Sequence, residues 1–168
     1  LQNLFRLILN KILKRVVYLD YAAATAGITY GFYQVTSAVG IEFKNNIVTI
    51  SRGGTGAKYC IYKSTATTPL ESNNNVLFMN SPTSTTQAIG YQTSARTSLS
   101  DWQTASGHDL NSVSIDPLYA DINILNFTPT EVTVDNIGAN VGVATDINGV
   151  ARTLSSPDPG AYEVPPSV

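Results

Sequence analysis

Three times in this chain asparagine stands directly before an apolar run. Asn3 precedes Leu4-Phe5, Asn45-Asn46 precede Ile47-Val48, and Asn73-Asn74-Asn75 precede Val76-Leu77-Phe78. Asparagine tolerates left-handed backbone angles, and its amide can bond to a like residue in a neighbouring segment. Short extended runs that each follow such a turn can be laid over one another, with the asparagines stacked at a shared corner. Asn45, Asn46, Asn74 and Asn75 are therefore expected to be structural. The intervals fit one or two repeats of about 20–30 residues. They are not regular, so an ordinary two-sheet sandwich stays open on pattern alone.

The runs themselves read as strands. Ile28, Tyr30 and Phe32 alternate with Thr29 and Gly31, the period of a half-buried strand. Lys58–Lys63, Val76–Met79 and Ala88–Gln92 continue the pattern, separated by bends such as Arg52-Gly-Gly-Thr-Gly-Ala57. Short strands joined by bends rather than helices point to a sandwich or a stack of strands. Thr97–Thr104 is the exception. It reads as one short helix that Ser98 or Ser100 can cap, with Asp101 in its first turn and Trp102 packing inward. Asn148-Gly149 is a tight-turn signal. Residues 1–17 are ambiguous between an amphipathic basic helix, which could sit on a membrane or a partner, and two short strands, Leu4–Leu9 and Ile12–Tyr18. Strands are the preferred reading.

Composition narrows the function. Charged residues make up 13% of the chain, and net charge is −2, so no general attraction to nucleic acid is expected. The charge is lopsided: residues 1–70 hold eight Lys/Arg against two acids, and residues 71–168 hold two against ten. Such polarity could orient neighbours, though a basic end that meets preceding chain is the simpler account. Cys60 is alone, which leaves no internal disulfide, and it lies in an apolar run where a buried thiol is expected. No run is long and apolar enough to span a bilayer. Leu1 opens the chain without a signal-peptide pattern and Val164-Pro-Pro-Ser-Val168 reads as the start of a linker, so a segment of a longer polypeptide is expected.

Several motifs stand in order: Lys44-Asn-Asn-Ile-Val48, Arg52-Gly-Gly-Thr-Gly-Ala-Lys-Tyr59, Leu99-Ser-Asp-Trp-Gln-Thr-Ala105, His108-Asp-Leu-Asn-Ser-Val-Ser-Ile-Asp-Pro-Leu-Tyr119, Thr145-Asp-Ile-Asn-Gly-Val-Ala-Arg152 and Asp158-Pro-Gly-Ala-Tyr-Glu163. The set resembles the last coils and closing segment of right-handed parallel β-helix proteins exported by the type IX system of Bacteroidetes. It spans residues 44–163; residues 1–40 carry it poorly. The resemblance implies an all-β solenoid with a C-terminal closing region and one short helix near Trp102. Coils would occupy residues 1–127, closing strands 128–163 and the start of a linker 164–168. It also implies an extracellular or outer-surface location. Family members include adhesins, lyases and proteins without assigned activity.

Few constellations suggest chemistry. His108-Asp109 invites a catalytic-triad reading but lacks a nucleophile, so a loop pair with Asp109 bonding backbone amides is preferred. Asp101, Asp109, Asp116 and Asp121 cluster in sequence without sharing a repeated strand position, and Asp116-Pro117 reads as a turn. Asp146-Ile-Asn-Gly149 superficially resembles a calcium loop without its first Asp or final Glu. No cofactor or metal is expected, with calcium at Asp146 the alternative. Arg152 is expected to pair with Asp146 or Glu163. Gly53–Lys58 lacks phosphate-loop spacing. The remaining lead is aromatic: Tyr30, Tyr33, Tyr59, Tyr62 and Tyr91 would offer flat apolar faces with hydroxyls to a sugar. The expected function is a structural or adhesive module, a non-enzyme contacting surface glycans. The alternative is a fragment of a polysaccharide lyase or glycoside hydrolase.

Overall fold

The computed structural model describes residues 11–19, 26–35, 38–67 and 69–164. The strands are β1 (Lys11–Leu13), β2 (Val16–Leu19), β3 (Thr29–Gln34), β4 (Glu42–Lys44), β5 (Ile47–Ile50), β6 (Lys58–Lys63), β7 (Glu71–Asn73), β8 (Val76–Met79), β9 (Gln87–Gln92) and β10 (Ser94–Arg96). Helix α1 (Leu99–Ser106) follows, then β11 (Tyr119–Asp121) and β12 (Asn126–Pro129). Three parallel ladders form, β1-β4-β7, β2-β5-β8 and β3-β6-β9, and β10 adds antiparallel to β9. In the second ladder Val16 faces Ile47 and Ile47 faces Val76, offsets of 31 and 29 residues.

The solenoid expected from the sequence, with coils through residue 127, is corrected here. The strands fall in four small separate sheets, parallel and mixed, and no closed sheet or continuous solenoid forms among the described residues. The reason lies where extended backbone stops. Thr93 takes a φ of 62° just after β9, and the chain reverses into antiparallel β10. Beyond α1, left-handed angles at Asp109, Leu118, Leu125, Asn136, Gly142, Gly149 and Gly160 break every extended run. Residues 111–163 contribute one two-stranded antiparallel ribbon, β11-β12, two 3-10 turns, a single parallel bridge from Val113 to Val76, an antiparallel bridge between Thr145 and Ala151, and a series of turns. The expected strand Ile12–Tyr18 is split by Lys14 at φ 53°. Leu4–Leu9 and Asn3 lie outside the described residues.

The asparagine corner is where the ladders are pinned. Asn45 and Asn74 both take a φ of 56°. One residue on, Asn46 Oδ1 accepts from the Arg15 amide at 3.0 Å, and Asn75 Oδ1 accepts from the Asn46 amide at 2.8 Å and the Asn46 side-chain amide at 3.2 Å. Ser112 Oγ then takes the same place for the Asn75 amide, at 2.8 Å. Each turn amide, otherwise an orphan donor, is thus satisfied by the layer beside it.

Two cores result. The main one gathers Phe43, Val48, Ile50, Cys60, Ile61, Leu77, Ile89 and Trp102 between the ladders. Ser98 caps α1, its side chain accepting from the Asp101 amide at 3.1 Å, and the helix delivers Trp102 to the core. The indole lies on Gly90, where an added Cβ would sit 2.2 Å from the ring. A second core lies on the other face of β5 and β8, where Ile47 and Val76 pack with Val134, Val113 and Ile137. Sheet β2-β5-β8 is therefore covered on both sides, which accounts for its nearly unbroken apolar runs.

The acidic C-terminal segment supplies that second cover, across a ladder face rather than over the last strand alone. The Lys14 ammonium donates to the Asp158 carbonyl at 2.8 Å. The Asn45 side chain exchanges two bonds with the Ala139 backbone, and the Asn74 amide donates to the Ile137 carbonyl. Gly160, at φ 84°, brings its backbone so close that a Cβ would lie 2.7 Å from Ile47.

Candidate functional site

Strands β3, β6 and β9 carry tyrosine at matching register. Tyr30 faces Tyr59, and Tyr33 faces Tyr62, which faces Tyr91. Simple alternation would send Tyr30 and Tyr33 to opposite faces. Instead Cys60 and Ile61 both turn inward, and the matching Ile89 and Gly90 do likewise. That irregularity brings both tyrosine columns to the outer face. All five tyrosines singled out from the sequence meet there.

The rings form a two-column ladder. Tyr62 and Tyr91 stack at 4.4 Å and 8°, Tyr33 and Tyr62 at 5.3 Å and 26°, and Tyr30 and Tyr59 at 5.9 Å and 15°. Between columns, Tyr30 meets Tyr33 at 4.5 Å and Tyr59 meets Tyr62 at 5.3 Å. Offset stacks of this kind leave part of each face open. Tyr33, in the edge strand, is 51% exposed. Partial burial, and then the neighbouring phenols, push the Tyr30, Tyr59 and Tyr62 hydroxyls above the usual range. The lysines that flank the β6 tyrosines, Lys58 and Lys63, turn inward, and Lys58 Nζ donates to the Gly54 and Gly56 carbonyls.

The residues expected to be structural make the following contacts. Arg152 Nη1 pairs with Glu163 at 2.7 Å, and its guanidinium also donates to the Asp158 and Gly160 carbonyls. Asp146 accepts from the amides of Asn148, Val150 and Glu163. Burial would raise its pKa, but those bonds outweigh it and hold the carboxyl below the usual range. No group of three or more His, Cys, Asp or Glu close enough for a metal occurs among the described residues. Asp116 closes its turn on the Leu118 amide at 3.0 Å. The Cys60 thiol is buried and pushed well above its ordinary pKa by desolvation.

Three arrangements were not foreseen. Asp109 accepts from side chains rather than from backbone amides: Ser72, Asn75, Trp102 and Ser112, at 2.6–2.8 Å. It is fully buried, and none of these bonds comes from His108. Lys14 and Asp158 meet across the acidic segment. Lys14 stands in its turn where Asn45 stands in the next, a signal legible only once the layers are aligned. Finally, Lys44 lies 2.6 Å from Glu71 and 3.5 Å from Glu42, beside a cleft of about 500 Å³ lined by Asn73, Asn74 and Asn140. That places two carboxylates and an amine beside an open cleft. The hydrogen bond to Glu71 raises the Lys44 pKa, which keeps the amine protonated and unfit as a base.

No family model, no curated protein and no solved structure matches this chain. The site stands on its own geometry. None of the described helices is long and apolar enough to cross a membrane.

Proposed function

We propose that this chain is a contact module of a larger exported surface protein, and that its tyrosine ladder binds glycans. The convergence of Tyr30, Tyr33, Tyr59, Tyr62 and Tyr91 on one outer face carries the reading. Tyrosine gives a rigid apolar surface with a hydroxyl at its rim, and few rotamers are lost when it is covered. The motifs resembling those of exported proteins support the surface location. The alternative, a lyase or hydrolase fragment, would fall to Glu42, Lys44 and Glu71. There the one ammonium is shared between the two carboxylates and stays protonated, so it supplies no base, and the binding role is preferred.

A glycan array with the folded chain tests the proposal, with Tyr33→Ala and Tyr62→Ala beside it. Binding that each substitution weakens is the expected outcome. Binding unaffected by either, or none at all, overturns the proposal. Turnover of a uronic-acid polymer lost on Glu71→Gln would favour the alternative.

A further inference from the structure

Resting on the glycan-contact reading, we propose a substrate class and an orientation. The ladder takes a neutral, extended, β-linked polysaccharide laid along the direction in which the strands stack, one sugar to each strand. Tyr33, Tyr62 and Tyr91 are register partners in three adjacent strands, with ring centres 5.3 and 4.4 Å apart. Adjacent strands repeat at about 4.8 Å, and an extended β-linked pyranose chain advances by nearly that step per sugar. A chain lying along the column therefore meets an equivalent ring at each sugar. An α-1,4-glucan curls away from such a straight track.

Charge selects the ligand further. Apart from burial, the groups that act on the Tyr30, Tyr59 and Tyr62 hydroxyls are other tyrosines. Lys58 and Lys63, the cations nearest in sequence, are buried beneath the sheet. Among the described residues, no ammonium, guanidinium or carboxylate is among the groups that act on these three hydroxyls, so nothing there favours a uronate or an amino sugar. Among the described residues the track is short. Beyond Tyr91 the sheet continues as antiparallel β10, where Ala95 faces Tyr91, and the shorter column ends with Ala88 facing Tyr59. The described column offers a footprint of three sugars, one each on β3, β6 and β9.

Calorimetric titration of the folded chain with cello-oligosaccharides of increasing length tests this, beside malto-oligosaccharides and oligogalacturonates. Affinity is expected to rise with each added sugar up to three and then level off, with the other two series weaker by about tenfold or more. Tyr33→Ala and Tyr91→Ala each shorten the rise by one sugar, and Tyr33→Phe keeps it. Affinity independent of length, or equal affinity for the curled or charged series, overturns the proposal. If the array finds a short terminal sugar that needs the tyrosines, this inference falls while the glycan-contact reading stands. If no glycan binds, both fall. Sedimentation velocity supplies the last arm: a dimer dissolved by Tyr33→Ala, without glycan binding, makes the ladder a self-association face and overturns both.

Discussion

The indole Nε1 of Trp102 donates a 2.8 Å hydrogen bond to Oδ2 of Asp109, and both side chains are fully buried. Ser72, Asn75 and Ser112 also donate to the carboxylate, and among the described residues no Lys or Arg forms an ion pair with it. Four donors aimed at one anion suit a carboxylate and nothing else of that size. Asp109→Asn points an amide N–H at groups that are themselves donors. It is expected to cost about 3 kcal/mol, measured by urea unfolding followed through Trp102 fluorescence. A loss under about 0.5 kcal/mol would mean the carboxylate is not what orders these groups.

The ladder should show its geometry in stability as well as in binding. Tyr62 has ring neighbours on both sides, whereas Tyr33 stands at the edge. Tyr62→Ala should therefore destabilise by about 1–2 kcal/mol and Tyr33→Ala by less. A double-mutant cycle on Tyr62 and Tyr91 should return a coupling of about 0.5–1.5 kcal/mol. Additive losses would contradict the stacked pair.

Gly90 gives the indole its seat. A methyl there would lie 2.2 Å from the ring, and Trp102 is fully buried. Gly90→Ala is expected to cost about 1–3 kcal/mol and to weaken the near-ultraviolet circular dichroism of the indole. Gly107→Ala is the matched control: that glycine takes a φ of 71° at the helix end with nothing near it, so its effect should spare the indole signal.

Acid should tighten the C-terminal segment before it harms it. Burial, with Glu163 nearby, pushes the Asp158 carboxyl up to about 6 from an ordinary 3.8. The folded chain thus holds a proton there that the unfolded chain has released. Between about 3.8 and about 6 this group's contribution to stability falls as pH rises, and the fall is complete above that range. Thermal unfolding across the window should show this decline in the parent, and Asp158→Asn should flatten it. Lys14 acts in the opposite sense. Burial and then Arg152 lower it to about 8, so the cost of burying its ammonium is relieved as pH rises from about 8 toward 10.5. Lys14→Met should remove that gain.

Much of this was written in the order of residues. Alternation in Thr29–Gln34 marks a sheet with one open face, but it does not place both tyrosine columns on that face, because Cys60 and Ile61 both turn inward. The unbroken Ile47–Ile50 and Val76–Met79 runs mark a sheet covered twice, although a local reading does not say by what. The cover comes from residues 113–160, whose turns have no period and whose partners lie far back in the chain. The same distance hid the Lys14–Asp158 contact and the shell of Asp109, since both are made by residues that look like ordinary loop positions. The uniform solenoid failed for a related reason. Asparagine before an apolar run reports a local turn, but not how many times the stacking is repeated before Thr93 reverses the chain.

Lys14, Asn45 and Asn74 occupy one position in each of three successive layers, and residues 137–158 bond to all three. The acidic segment therefore works as a gauge. Duplicating or deleting a layer would carry one of these anchors about 4.8 Å out of reach, so the height of the stack cannot drift by whole repeats without rebuilding the strap that measures it.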